Sequence, residues 1–209
     1  MVYATLKKLR AANACKRRYT LLRRALGQGY GDNTPISLVQ ILQHSGIDDA
    51  LWVPKSALTG THIQRRYRLF AVACCQDVLR LMGDQRSRDT VRVVHLYAYG
   101  EATEDELRAA WDAAWDAAMD AGRESPWYTA RVAAASAKDT AWDAAMATVE
   151  ATRDAVWAIA WGVARAAGAA KATALATAND AEAGARKRQT EHFRIIFSAD
   201  FDEGTHERP

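Results

Sequence analysis

Apolar residues recur along most of this chain at intervals of three and four, the spacing of one helix face, while the alternation of a half-buried strand is nearly absent. Between Tyr3 and Leu26, Leu6 and Leu9 fall on one side, whereas Cys15, Tyr19, Leu22 and Leu26 gather on another. One straight helix cannot bury both sets, so the pattern predicts two helices, the second capped by Asn13. The glycines of GQGYGDN end it. In NTPISLVQILQHSG, Asn33 or Thr34 is the predicted cap, Pro35 the first helical residue and Gly46 the stop. IDDALW adds a turn or two before Pro54, and SALTGTH reads as a separating loop.

Over residues 64–82, Phe70, Ala73, Cys74, Val78 and Leu81 line one face while Ala71, Val72, Cys75, Leu79 and Met82 cover much of the rest, which predicts a central helix. Gly83 stops it, Ser87 caps the next, and that one runs to Gly100. Thr103 with Glu106 three residues on is a capping box opening the helix that carries WDAAWDAAM and ends at Gly122. Ser125 and Pro126 open a further helical stretch with Trp142, Met146, Val149, Val156 and Trp157 at helical spacing, as one helix or two over residues 126–178. Asn179 is the predicted cap of a last amphipathic helix. The fold class that follows is all-α: a bundle of long Ala/Trp-rich helices over 62–197, a small helical N-terminal part over 1–58, and a tail over 198–209.

Within WDAAWDAAM, Trp111, Trp115 and Met119 advance about 40° per step and make one stripe; Asp112, Asp116 and Asp120 make a second. The expectation is that the indoles face the core, the alanines let neighbouring helices approach and the aspartates face water. AWDAAM at 141–146 is a partial copy, pointing to a second helix of the same design. Composition agrees, since only four prolines and twelve glycines interrupt an alanine-rich chain. The stretch 155–178 is long enough to span a bilayer, but it carries Arg165 and Lys171 and is mostly weakly apolar alanine, so it reads as a non-membrane helix. The N-terminus has neither a continuous apolar run nor a small-residue cleavage site, which predicts a cytoplasmic protein. Cys15 alone and the adjacent Cys74 and Cys75 read as reduced thiols.

Motifs for chemistry are missing. No GxSxG, phosphate-binding glycine loop or dinucleotide fingerprint occurs, and His44, His62, His95, His192 and His206 have no zinc-ligand spacing. Asp112, Asp116, Asp139 and Asp143 converge only if their helices pair, and no Glu-x-x-His accompanies them. The expectation is no catalytic residue, no metal and no cofactor.

Charge carries more information than the net +3 suggests. Residues 1–30 hold Lys7, Lys8, Arg10, Lys16, Arg17, Arg18, Arg23 and Arg24 and no acid, whereas in 101–120 Glu101, Glu104, Asp105, Glu106, Asp112, Asp116 and Asp120 are opposed by Arg108 alone. Such asymmetry guides partner encounter, or lets the two regions meet within the fold or across a homo-oligomer. The acidic ridge Glu101, Glu104, Asp105, Asp112, Asp116 and Asp120 is the candidate partner-binding surface. Lys16, Arg17, Arg18, Arg23 and Arg24 are the alternative, a nucleic-acid-binding surface, with QRRYR, QRSRDTVR and Tyr19, Tyr30 or Tyr67 in support.

The segment YRLFAVACCQDVLRLMGDQRSRDTVRVVHLYAYGEATEDELRAAWDAA, with RKRQTEHFRIIF near the end, resembles uncharacterised alanine-rich helical bacterial proteins over roughly residues 65–197. A related pattern occurs in immunity proteins of bacterial toxin systems, and LKKLRAANACKRRYTLLRRALG is similar to N-terminal segments of uncharacterised phage proteins. The resemblance implies a non-enzymatic protein that binds and blocks a protein partner, a toxin or defence-system component, and brings no catalytic motif. A homodimer stays open as well, because spare apolar stripes serve an interface as readily as a core.

Overall fold

The computed structural model describes residues 1–53, 55–81, 84–120 and 171–198. The helical stretch expected after Ser125, the AWDAAM echo with Asp139 and Asp143, and most of 155–178 lie outside the described residues. The protein is largely all-α, with eight α-helices and one small three-stranded sheet among the described residues. In chain order these are β1 (Val2–Ala4), α1 (Leu6–Ala11), α2 (Lys16–Leu26), β2 (Ile36–Ser37), α3 (Leu38–Ser45), α4 (Ile47–Trp52), β3 (Thr59–Gly60), α5 (Ile63–Val78), α6 (Gln85–Ala98), α7 (Glu104–Asp120) and α8 (Lys171–Ser198). No described helix is long and apolar enough to cross a membrane. The chain divides into two compact units, Met1–Thr61 with Phe193–Pro209, and His62–His192.

The first unit departs most from the sequence pattern. Residues 2–4 are not helical: β1 is the middle strand of the sheet, antiparallel to β2 through Tyr3 and Ser37 and to β3 through Tyr3 and Thr59. Strands of two and three residues are too short for alternation to register, so pairing of distant segments decides them. Gly60 makes one pairing possible: at φ +146 a Cβ there would stand 2.6 Å from the Met1 carbonyl oxygen. Thr5, extended, caps α1 by accepting from the Lys8 N–H at 3.1 Å. Asn13 is not the cap of α2 but a left-handed turn residue at φ 54, and Cys15 takes the cap position. For α3 the cap is Ser37, not Asn33 or Thr34; Ser37 and Gln40 form a reciprocal capping box, and Pro35 stays outside the helix. Gly46, at φ +84, ends α3 as expected and joins it to α4. Leu6, Leu9, Ile36, Leu38, Ile41 and Leu51 are buried, as are Phe193 and Phe197, whose rings stack at 4.2 Å.

In the second unit α5 is buried almost all round, from Arg66 through Cys75. Its Val72 and Cys75 join Val91 and Val94 of α6 and Leu107 and Ala114 of α7 in one apolar cluster. Asp84, not Ser87, caps α6, accepting from the Arg86 N–H at 2.8 Å; Ser87 is buried one turn further on. The contact between α6 and α7 is the most extensive pairing of described helices. Val91 and Val94 of α6 meet Leu107 and Ala114 of α7 in the apolar cluster, and the small residues Ser87, Thr90 and Ala98 of α6 and Ala117 of α7 are buried as well. The Thr90 hydroxyl donates to the Ala110 carbonyl of α7 at 2.8 Å, a contact available only where two helix backbones come close.

Along WDAAWDAAM the described residues grade from buried to exposed. The centre of the packing face of α7 is Leu107, Ala114 and Ala117, while Trp111 sits at its edge, half-buried against the cluster. The side chains of Trp115 and Met119 are outside the described set. Asp112 and Asp116 are exposed, as expected. Asn179 likewise caps nothing, because α8 starts upstream at Lys171 and passes through it; the alanines on both sides have the propensity to carry a helix across one weak former.

Ala114→Leu, which places extra volume in the tight contact with α6, is expected to destabilise the protein by about 1–3 kcal/mol in urea unfolding, whereas Asp112→Ala changes it by less than about 0.5 kcal/mol. Equal effects would contradict this assignment of faces.

Candidate partner-binding surfaces

The acidic surface begins with the cap of α7. Thr103 and Glu106 close the predicted box: the Thr103 N–H and hydroxyl both reach Glu106 Oε2, at 2.7 and 2.9 Å, and the Glu106 N–H donates to the Thr103 hydroxyl at 3.2 Å. Hydrogen bonds from the Thr103 backbone and hydroxyl hold the Glu106 carboxyl below its ordinary pKa, so it remains a charged cap over a wide pH range. Glu104 is held too, since Tyr97 donates its hydroxyl to Glu104 Oε2 at 2.6 Å while the Arg68 guanidinium lies 4.7 Å over the Tyr97 ring. That chain ties the first turn of α7 to α6 and α5.

What remains is a narrower surface than the sequence ridge. Asp105, Asp112 and Asp116 fall within about 40° of one another, directly opposite Ala114. All three are exposed, the Asp105 side chain to 95%, and among the described residues Arg108 alone forms an ion pair with any of them, 3.9 Å from Asp105. Glu101 is exposed ahead of the helix, Glu104 is turned aside, and the side chain of Asp120 lies outside the described set. No group of His, Cys, Asp and Glu among the described residues is arranged to hold a metal.

The basic candidate divides in the same way. Arg18 points inward and forms an ion pair with Asp49 of α4 at 2.5 Å. Burial pushes the Asp49 carboxyl up and Arg18 pulls it back. Lys16, Arg17, Arg23 and Arg24 stay exposed on the outer face of α2, with no described carboxylate in ion-pair range. The supporting basic segments are occupied internally: Arg66 is fully buried, Arg65 lies 4.7 Å over the Tyr99 ring, and Arg86 is fastened to Asp84 at 2.8 Å. The proposed stacking tyrosines are engaged as well. Tyr67 is buried, which drives its hydroxyl pKa upward; Tyr19 accepts from Arg10 at 2.7 Å; and Tyr30 donates to the Pro35 carbonyl at 2.8 Å.

Three features had no sequence forecast. Asp77 on α5 receives both Arg188 and His192 of α8 on one oxygen, each at 3.2 Å. The i, i+4 spacing of Arg188 and His192 was legible, but its target more than a hundred residues away was not. A half-open cleft of about 20 Å³, room for a water molecule rather than a small-molecule ligand, is lined by Leu9, Tyr19, Leu22, Ile41, Trp52 and Val53, with the Arg18–Asp49 pair on its wall. Lastly, the exposed Cys15 thiol faces the N–H groups of Arg18 and Arg17 at the start of α2; these, with the two guanidinium charges, lower its pKa. Cys74 and Cys75 are buried, and burial, with Cys75 and Asp77 nearby, pushes Cys74 up.

No protein-family model matches the chain, and no curated protein or solved structure is significantly similar to it.

The thiols give a direct check of this electrostatic picture. In the native protein iodoacetamide is expected to alkylate Cys15 alone, with a pH–rate midpoint below that of free cysteine, and to reach Cys74 and Cys75 only after unfolding. Simultaneous labelling of all three in the native state would refute it.

Proposed function

We propose that this is a non-enzymatic binding protein that recognises a basic surface on a protein partner through Asp105, Asp112 and Asp116. The observation that carries the reading is one stripe of three exposed carboxylates on a helix whose opposite face is buried at Leu107, Ala114 and Ala117, the first two in the cluster with α5 and α6. A surface fixed in this way does not lose backbone freedom on binding, and its field steers a cationic partner while repelling acidic ones. The resemblance to alanine-rich immunity and phage proteins supplies the class: an immunity protein or phage-encoded inhibitor of host defence, acting in the cytoplasm by blocking a toxin or defence-system component. The test is affinity capture from lysates of bacteria carrying such systems, comparing the protein with its Asp105→Lys, Asp112→Lys, Asp116→Lys variant. A basic protein retained by the first and lost by the second is expected; recovery of the same set by both contradicts the reading.

The second reading is nucleic-acid binding, favoured by Lys16, Arg17, Arg23 and Arg24 on one exposed face of α2. Four cations without an available stacking ring make a small footprint. The α3–α4 pair hinged at Gly46 does not enlarge it, because α4 is six residues long with Asp48 and Asp49 in its first turn. A gel shift at low salt that is abolished by Arg17→Glu with Arg24→Glu would establish this reading, and the absence of any shift would remove it.

A further inference from the structure

The two exposed charged faces match each other in more than sign, and we propose that α2 of one copy of this chain docks on α7 of a second copy. On α2, Arg17, Leu21 and Arg24 occupy positions i, i+4 and i+7; on α7, Asp105, Ala109 and Asp112 occupy the same offsets. In each helix the three residues lie within about 60° of one stripe, and the outer two are about 10 Å apart along the axis. Laid side by side, the helices bring two guanidinium groups to two carboxylates at one repeat. The large residue of one helix, Leu21, then meets the small residue of the other, Ala109.

The remaining neighbours reinforce the fit. Lys16 and Arg23 flank the α2 triplet, and Asp116 extends the α7 stripe by one turn. All of these residues are exposed within the single chain, as is Leu21 at 48%, an unusual position for a leucine in a field of cations. Covering Leu21 and pairing the four charges account for both oddities at once. Isolated surface ion pairs are weak, so a repeated contact is needed for measurable association. The contact joins two different surfaces, so it repeats around any closed ring of copies, of which the dimer is the smallest. The contact does not depend on the partner-binding reading, although it draws on the same carboxylates, so a basic partner would compete with it.

The test uses the purified full chain alone, in sedimentation equilibrium on the native protein, two variants and their mixture. The native protein is expected to self-associate at about 20 mM salt and to weaken about tenfold or more at about 0.5 M salt. Arg17→Glu with Arg24→Glu, and separately Asp105→Lys with Asp112→Lys, are each expected to be monomeric, with unchanged circular dichroism because every substituted side chain is exposed. Mixing the two variants leaves one contact native and rebuilds the other with its charges exchanged, so a 1:1 heteromeric assembly is the result expected. A native protein that stays monomeric at low salt overturns the proposal. So does association that survives either substitution pair, or a mixture that fails to assemble. Should either variant fold poorly, Arg17→Gln with Arg24→Gln takes its place, and salt-sensitive association that survives it also overturns the proposal.

Discussion

The close approach of α6 and α7 is the constraint on which the functional reading rests. Thr90 donates its hydroxyl to the Ala110 carbonyl across the seam, and Ala114, wholly buried in the shared cluster, adds little bulk to it. Once Leu107 and Ala114 are committed to the cluster around Val91 and Val94, the helical repeat leaves Asp105, Asp112 and Asp116 on the solvent side. The cap at Thr103 and the Tyr97–Glu104 hydrogen bond fix the first turn, so the stripe is held at its start and along its length.

Charge in this protein is divided between structural and available groups, and burial makes the division. Arg66 is wholly enclosed, Arg65 and Arg68 lie on tyrosine rings, and Arg18 spans two helices to Asp49. Arg17, Arg23 and Arg24 stand on the other side of α2 from Arg18 and remain in water. Counting cations along the chain therefore overstates the basic surface, just as counting acids overstates the ridge, since Glu104 and Glu106 are spent on holding α7 in place.

Where information is local, the sequence was a good guide. The Thr103–Glu106 box, the stop at Gly46 and the all-round burial of α5 follow from residues within a few positions of each other. The misses have non-local causes. The short sheet requires residues 2–4 to meet 36–37 and 59–60; Asn33 and Thr34 lose their expected capping role to Ser37, at the end of the paired β2, and Asn13 takes a left-handed turn with Cys15 at the cap of α2. On α7 the pattern separated the stripes and assigned alanine to close helix approach; that Leu107 and Ala114 are buried while Trp111 is only half-buried against the same cluster depends on the neighbouring helices and cannot be read from one.

Carboxyl footprinting at high salt, where copies and partners are released, tests the central claim most directly. With a carbodiimide and an amine, Asp105, Asp112 and Asp116 are predicted to react in the native protein nearly as fast as in the unfolded chain, while Asp49 and Asp77, whose side chains are only 17% and 18% exposed, react slowly. Protection of the three α7 carboxylates to the level of Asp77 would contradict the outward stripe and the recognition surface built on it.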